Sequence, residues 1–393
     1  MMIGRNQLTS DQMYVYDSII DTINTRKSSV ITISGGGGTG KTTLLNTLSF
    51  ISGMKFTAPT NKAVTHLDYA NTSTIHSHLR LKLQPNFRDG GYELVKNKGN
   101  VPHHNVLIID EASMVSESLH QYILNSESYN HLIYVGDHNQ LLPVDEENPE
   151  FSVFTLPNAN KFYLTENLRT DNDILHKLFN DILECDDWSS IIDVLQGSGG
   201  VDCFYDKKVF IQDYLKTDRK GNEDGCIGAY ANKTVDLYND ICRMMTIPKA
   251  EHPIHPDDVL VLQEGNGVDM YNAEHVRVHS WSRDPEQNAY VVNTTCMRSF
   301  MTPMDWGIYN KKLEEARQNG INKKMWKDYY GLKESYLEIA YHYSSTLHKL
   351  QGSSYNDTYL DLKGLGMVPF DTAKRLVYVG VTRSSGDKVK VLL

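Results

Sequence analysis

The chain has 393 residues, of which 40% are hydrophobic and 22% charged, and its formal net charge is −10. That length predicts two or three domains, and that composition excludes a disordered chain. No apolar run approaches a membrane span, and the opening Met1-Met2-Ile3-Gly4-Arg5-Asn6 has no signal-peptide pattern. The acidic balance argues against nonspecific coating of nucleic acid, but leaves room for a narrow basic channel. Five scattered cysteines, Cys185, Cys203, Cys226, Cys242 and Cys296, show no metal-ligand spacing, so free thiols in a reducing, cytoplasmic setting are expected. No internal repeat or low-complexity tract is present.

The first informative element is Val30-Ile31-Thr32-Ile33-Ser34, a short predicted strand. It leads into Gly35-Gly36-Gly37-Gly38-Thr39-Gly40-Lys41-Thr42 and then a predicted helix, Thr43 to Leu48. Strand, glycine turn and helix form the phosphate-loop context, in which backbone N–H groups and the helix N-terminus cradle a pyrophosphate. Lys41 is expected to reach the β and γ phosphates, and the Thr42 hydroxyl to hold Mg²⁺, so a nucleoside triphosphate and Mg²⁺ are the expected ligands; the resemblance given below makes the nucleotide ATP. The bland alternative is a mobile glycine-rich turn without a ligand.

Residues 80 to 96 alternate apolar and basic side chains around Asp89-Gly90-Gly91, which predicts a hairpin. Val106 to Ile109 reads as a buried strand ending in Asp110 and Glu111, at the sheet edge where open α/β folds bind ligands. Asp110 is placed to hold Mg²⁺ through water and Glu111 to activate the attacking water; alone, such a pair is more often a solvated turn. A third strand, Leu132 to Val135, ends in Gly136-Asp137-His138-Asn139-Gln140, where Gln140 could bond a γ-phosphate or the water. Its bland alternative is a loop cap that Pro143 terminates. Further on, Val259 to Leu262, His275 to Val278 and Ala289 to Val292 read as short strands, and Asn310 to Gln318 as a charged helix.

In this order the segments resemble a superfamily 1 helicase of the RecD-like branch. Leu8-Thr9-Ser10-Asp11-Gln12 resembles the adenine-reading segment, with Gln12 as base contact. Ala58-Pro59-Thr60-Asn61-Lys62-Ala63 and Thr74-Ile75-His76-Ser77 resemble strand-binding segments of a first motor domain. Leu164 to Arg169 resembles the segment that supplies an arginine finger. Ala229 to Lys233 resembles the first strand edge of a second motor domain, Ser345 to Gly352 its motif five, and Tyr378 to Arg383 its motif six, with Arg383 a second finger. One departure is the run of four glycines where the family more often has a proline and an alanine or serine, which implies a looser loop and a larger ordering cost.

The resemblance implies an α/β fold: two RecA-like P-loop motor domains with a β-hairpin pin insertion and a small SH3-like β-barrel insertion. The expected boundaries are 1–170 for the first motor domain (hairpin about 80–104), 171–255 and 343–393 for the second, and 256–342 for the barrel insertion with its helical extension. The implied nucleotide site comprises Gln12, Gly35, Gly36, Gly37, Gly38, Thr39, Gly40, Lys41, Thr42 and Thr43, with Lys41, Glu111, Gln140, Arg169 and Arg383 catalytic and Thr42 and Asp110 at the metal. Pro59, Thr60, Asn61, Thr74, His76, Ser345, Thr346, His348 and Lys349 are the implied DNA contacts, suited to positioning phosphates without reading sequence. Thr74 and Ser345 could instead be ordinary helix caps.

In a phage member of the branch the hairpin is a pin that splits duplex DNA with an aromatic residue. Spacing matches Tyr92 to it, with Phe87 the alternative. Trp326 and Tyr330 could brace the pin, against Pro85, or be plain core aromatics of the insertion. The implied activity is ATP-driven unwinding of DNA with 5′-to-3′ movement. The implied partners are single-stranded DNA and single-strand/duplex junctions, with a single-strand-binding protein as a candidate, for a monomeric motor. No further domain is expected beyond Leu393, which suits a phage or mobile element and a host cytoplasm. Other readings are a translocase that strips bound proteins, an ATP-gated clamp, or an RNA helicase.

Overall fold

A computed structural model describes residues 7–65, 67, 72–143, 148, 150–166, 173–217, 225–247, 252–256, 258–265 and 269–393. By contact density the chain falls into two compact units. One comprises Met1–Arg80, Asn97–Asp206 and Leu347–Leu393; the other comprises Leu81–Lys96 and Lys207–Thr346. This division cuts the chain differently from the sequence boundaries. The segment 173–206 groups with the phosphate loop, and the hairpin groups with the insertion.

The first unit is built on a six-stranded, wholly parallel sheet. Its spatial order is Thr72–Thr74, Met54–Ala58, His104–Ile109, Tyr129–Gly136, Ser29–Gly35, Asn160–Leu164. The three strands predicted around the phosphate loop, Asp110 and Gln140 all lie in it. Ile108, Ile109, Leu132 and Ile133 are wholly buried, as continuous apolar runs of a sheet covered on both faces must be. Leu44, Leu45 and Leu48 of helix Lys41–Leu48 and Val15 and Ile19 of helix Ser10–Thr25 cover it, forming one core with Ile31, Ile33 and Val135. Because all strands run parallel, Gly35, Ile109 and Gly136 end at the same edge, which gathers three polar loops there.

The same unit holds a second parallel ladder, in which Val389–Leu392 lies between Asp357–Asp361 and Val201–Phe204. Helices Asp173–Glu184 and Trp188–Gly197 pack on helix Phe370–Val381. Lys374 ties that packing down by donating to the Leu183 and Cys185 carbonyls, both at 2.9 Å. This is why residues 173–206 group with the C-terminal segment.

In the second unit Gly225–Ala229 pairs in parallel with Ser344–Thr346, and helix Asn232–Thr246 clamps the pair. Asn239 accepts from the Ser344 amide at 2.9 Å and donates to its carbonyl at 3.3 Å. An antiparallel five-stranded sheet follows, in the order Ser299–Pro303, Ala289–Thr294, His275–Asp284, Val259–Leu262, Ile339–Tyr341. Leu260, Val276, Val278 and Val292 fill its core. The three short strands read from sequence all belong to it.

The predicted hairpin is present, pairing Leu81–Pro85 with Tyr92–Lys96. Asn86 N–H closes the turn on the Gly91 carbonyl at 2.9 Å, and Gly90 takes φ +81°. Helices Trp306–Lys323 and Trp326–Ser335 complete the unit. Their close approach depends on Gly320, where an added Cβ would stand 2.5 Å from the Trp326 ring. No helix among the described residues is long and apolar enough to cross a membrane.

Candidate active site

The glycine loop joins strand Ser29–Gly35 to helix Lys41–Leu48. Gly40, the helix N-cap, sits at φ +74°, a conformation glycine adopts without the Cβ penalty. No side chain caps this helix, so its first amides face the loop's concavity, the arrangement that receives anions. Lys41 Nζ donates to the carbonyls of Gly35 at 2.7 Å and Gly36 at 2.9 Å, lying across the mouth of the loop.

A cavity of about 480 Å³ opens at this sheet edge. Gly37, Gly38, Gly40, Lys41, Thr42, Thr43, Asp110, Glu111, Gln140 and Arg383 line it, so residues expected to act together are brought together. Burial first, and then the neighbouring Glu111 charge, push the Asp110 carboxyl well above the usual carboxylate range. The Glu111 amide, donating to Asp110 Oδ1 at 2.9 Å, and the Lys41 charge pull the other way. Glu111 itself sits at φ +50°, which for a non-glycine residue costs about 1–3 kcal/mol.

Two acceptor atoms in this cavity, Glu111 Oε2 and Gln140 Oε1, are buried without a hydrogen-bond partner. Leaving a buried acceptor unmade costs about 1–3 kcal/mol each, so a fold that retains two in one cavity is suited to a ligand or water that donates to them. Arg383 is buried, with Nε on the Val379 carbonyl at 3.1 Å and Nη1 on the Ser353 carbonyl at 3.2 Å. Arg169 lies outside the described residues.

Gln12 is wholly buried, and both ends of its amide are engaged. Its Oε1 accepts from the Thr9 amide at 3.0 Å in a capping box, and its Nε2 donates to the carbonyls of Thr39 at 3.3 Å and Gly40 at 3.2 Å. The structure thus places Gln12 as a strut under the phosphate loop.

Sequence reasoning missed a polar network behind the cavity, buried at Asp137 and Tyr378. Tyr378 Oη donates to Asp137 Oδ2 at 2.9 Å, and Arg375 Nη1 donates to the carbonyls of His138 at 2.8 Å and Gln140 at 2.6 Å. Ser34 Oγ lies 2.6 Å from His138 Nδ1, and burial pushes that imidazole below its ordinary range. Gln351 Nε2 reaches Ser113 Oγ at 3.1 Å. One face of helix Phe370–Val381 therefore holds the loop that carries Gln140, and Arg383 lies just beyond the helix's end. The signal in the sequence is slight: Arg375 and the hydroxyl of Tyr378 stand three positions apart, one turn, on a helix whose second half is otherwise apolar.

The expected DNA contacts divide between the units. In the first, Thr60 caps Ala63 N–H at 3.1 Å, and Thr74 caps Ser77 N–H at 3.1 Å, as its bland alternative required. His76 bonds the Pro59 backbone while burial lowers its pKa. Asn61, His348 and Lys349 are exposed. In the second unit, Ser345 and Thr346 lie in a strand, so Ser345 is no helix cap. Tyr92 is half-buried, its hydroxyl on Glu334 at 3.2 Å and its ring edge-on to Tyr330 at 5.5 Å, whereas Phe87 at the turn is 61% exposed. Trp326 and Tyr330 are buried against the hairpin. Tyr330 Oη donates to the carbonyls of Asn86 at 3.1 Å and Gly91 at 2.8 Å.

A parallel sheet with a phosphate loop, a strand-end carboxylate pair and a glutamine-bearing third loop is the arrangement of P-loop nucleoside triphosphatases. The AAA domain family matches residues 19–146. The chain is 24% identical over 440 aligned residues to the ATP-dependent DNA helicase Dda of Enterobacteria phage T4, covering 97% of this chain and 98% of that protein. It is 36% identical over 144 residues to the RecD subunit of the RecBCD enzyme of Buchnera aphidicola, covering 29% of this chain and 23% of that one.

Among solved structures, a Pif1 helicase studied for unwinding at forked duplex DNA by two coordinating copies aligns with TM-score 0.60. It is 16% identical and covers 98% of this chain and 91% of that one. A Bacteroides Pif1 helicase with ADP-AlF3 and single-stranded DNA aligns with TM-score 0.59 at 15% identity, covering 98% and 92%. These likenesses show the fold. The chain is thus similar over nearly its whole length to the Dda helicase and over part of it to RecD, the branch that its motif order resembles.

Proposed function

We propose that the protein is an ATP-dependent DNA helicase that moves along single-stranded DNA, 5′ to 3′, and separates duplex DNA. The observation that carries the reading is the cavity that gathers Lys41, Thr42, Asp110, Glu111, Gln140 and Arg383 around two buried, unpartnered acceptors.

ATP phosphates would replace the loop carbonyls as partners of Lys41. Glu111 Oε2 would accept the proton of the attacking water as its oxygen bonds to the γ-phosphorus and the β–γ bridge breaks. Gln140 Oε1 would hold that water in line. Lys41, with Arg383 swung from its carbonyls, would balance the charge that develops; such an arginine contributes about 10³–10⁵ in rate in P-loop enzymes. Arg169 is assigned the other finger by resemblance alone.

Thr42 and Asp110 present a hydroxyl and a carboxylate to the same cavity, a donor set that fits Mg²⁺ shared with phosphate and water. Among the described residues no cluster of three or more His, Cys, Asp or Glu would hold a metal by itself. The cation supplies charge neutralisation at the β and γ oxygens when bound.

In this reading two RecA-like motor domains alternate their grip on the strand through Pro59, Thr60, Asn61, Thr74, His76, Ser345, Thr346, His348 and Lys349. The antiparallel five-stranded sheet serves as the SH3-like insertion and the hairpin as the pin. Phe87, exposed at the turn, is better placed than the packed Tyr92 to meet DNA bases. Junctions of single-stranded and duplex DNA are the substrate, and a single-strand-binding protein is a candidate partner.

The test is ATP hydrolysis with and without single-stranded DNA. A helicase or translocase shows strong stimulation that Glu111→Gln abolishes while ATP binding persists. Hydrolysis indifferent to DNA would favour a clamp and overturn the reading.

A further inference from the structure

The hairpin and the two helices of the second unit enclose an open groove of about 940 Å³, apart from the residues assigned above to nucleotide or tracking strand except at the hairpin. Pro85, Phe87, Arg88, Lys324, Trp326 and Lys327 contribute to its lining. Its floor is aromatic and buried: Trp326 and Tyr330 are 7% and 6% exposed. Phe87 stands at its lip, 6.3 Å from the Trp326 ring and 5.8 Å edge-on from Tyr330, with its outer face open. Tyr330 is fixed by its two hydrogen bonds to the hairpin turn, so lip and floor hold one geometry.

The rim is cationic. Arg88, Lys324 and Lys327 are exposed on it, and the carboxylate among the lining residues, Glu334, already accepts from Tyr92 Oη at 3.2 Å. Three cations against one engaged anion is a local reversal of a chain whose formal net charge is −10. Lys324 is held there at φ +58°, capping the helix Trp306–Lys323. An open aromatic face inside a basic rim matches an unpaired base and its phosphodiester: the base stacks on a ring without sequence preference, and the cations follow the backbone.

We propose that this groove binds the DNA strand released at the hairpin, the one the motor does not track. The inference rests on the helicase reading and deepens it. The tracking strand has its own contacts on strands and loops of the motor domains, so the groove beside a separating hairpin takes the other strand. Holding that strand would oppose reannealing behind the hairpin.

The experiment compares a 5′-tailed duplex with a fork that also carries a 3′ non-tracking tail, for the parent and for Lys324→Glu/Lys327→Glu. A 2-aminopurine in the non-tracking tail beside the junction reports stacking without ATP. The parent should unwind the fork several-fold faster than the single-tailed duplex and quench the probe. The variant should lose both the advantage and the quenching, yet keep parental hydrolysis with single-stranded DNA and parental unwinding of the single-tailed duplex. A parental fork advantage and quench in the variant, or no fork advantage in the parent, overturns the assignment and leaves the groove to another occupant, such as an acidic peptide. Absence of DNA-stimulated hydrolysis in the parent would instead overturn the helicase reading itself, and the groove's assignment with it.

Discussion

Tyr378 Oη donates to Asp137 Oδ2 at 2.9 Å, joining the helix that leads to Arg383 to the loop that carries Gln140. Both side chains are buried, and the hydroxyl's pKa is raised by burial and then by the carboxylate it serves. The bond lies behind the phosphate loop: an added Cβ on Gly36 would stand 3.1 Å from the Tyr378 oxygen.

Tyr378→Phe should therefore act twice. Removing a hydrogen bond to a buried carboxylate costs about 1.5–3 kcal/mol of stability. It should also loosen Gln140 and lower kcat for ATP hydrolysis with little change in KM. Denaturant unfolding and steady-state hydrolysis measure the two effects; a stable variant with parental kcat would show that the bond positions nothing.

Glu111→Gln keeps the shape of the side chain and removes its basicity. Hydrolysis should fall about 10²–10⁴-fold, the usual contribution of a general base, while ATP affinity stays within a few-fold. Equilibrium binding of a fluorescent ATP analogue separates the two. A variant that hydrolyses normally would move the base elsewhere.

Much of this site was legible in the sequence because its parts follow strand ends. The glycine loop, Asp110-Glu111 and the loop that carries Gln140 each follow an apolar run, and a parallel sheet brings such ends to one edge. The hairpin was legible from Asp89-Gly90-Gly91 between alternating residues. The bonds from Gln12 to the Thr39 and Gly40 carbonyls were not, because they join residues 27 and 28 positions apart and leave no local pattern. Asp137, Arg375 and Tyr378 were not either. Buried polar pairing between distant segments has no period, and a Tyr within the apolar run Leu376 to Val381 reads as core. Tyr92 and Phe87 could be told apart only by what packs on them.

Stability should fall in mild acid through His78. Burial first, then the charges of His104 and Lys55, push its imidazole down to about 4 from an ordinary 6.5. Between those values the unfolded chain binds the proton and the folded one does not. The contribution is thus complete above pH 6.5, is lost as pH falls toward 4, and amounts to at most about 3 kcal/mol. Unfolding curves at pH 7 and pH 4.5 measure it, and His78→Asn should flatten the difference. An unchanged difference in that variant would place the acid sensitivity elsewhere.

Gly320→Ala sets helix propensity against packing. Alanine gains about 1 kcal/mol as a helix former, but its Cβ meets the body of the Trp326 ring at 2.5–2.9 Å, where overpacking costs about 1–3 kcal/mol. The ring cannot swing away without breaking the aromatic floor, so a net loss of thermal stability is expected. A stabilised variant would contradict that packing.

Phe87→Ala should uncouple the motor. Hydrolysis stimulated by single-stranded DNA should persist while unwinding falls, since base stacking of about 1–3 kcal/mol is removed from the hairpin tip. Tyr92→Phe, which loses only the bond to Glu334, should unwind within about two-fold of the parent, a surface hydrogen bond being worth about 0.5–1.5 kcal/mol. The reverse ranking would return the wedge to Tyr92.

The central claim is tested most directly by strand separation on two partial duplexes, one with a 5′ and one with a 3′ single-stranded tail. ATP and Mg²⁺ are supplied, and Lys41→Ala serves as the inactive control. Unwinding of the 5′-tailed duplex alone, abolished in the control, is the predicted result. Unwinding of only the 3′-tailed duplex would contradict the direction of movement, and no unwinding of either with DNA-stimulated hydrolysis intact would contradict the helicase itself.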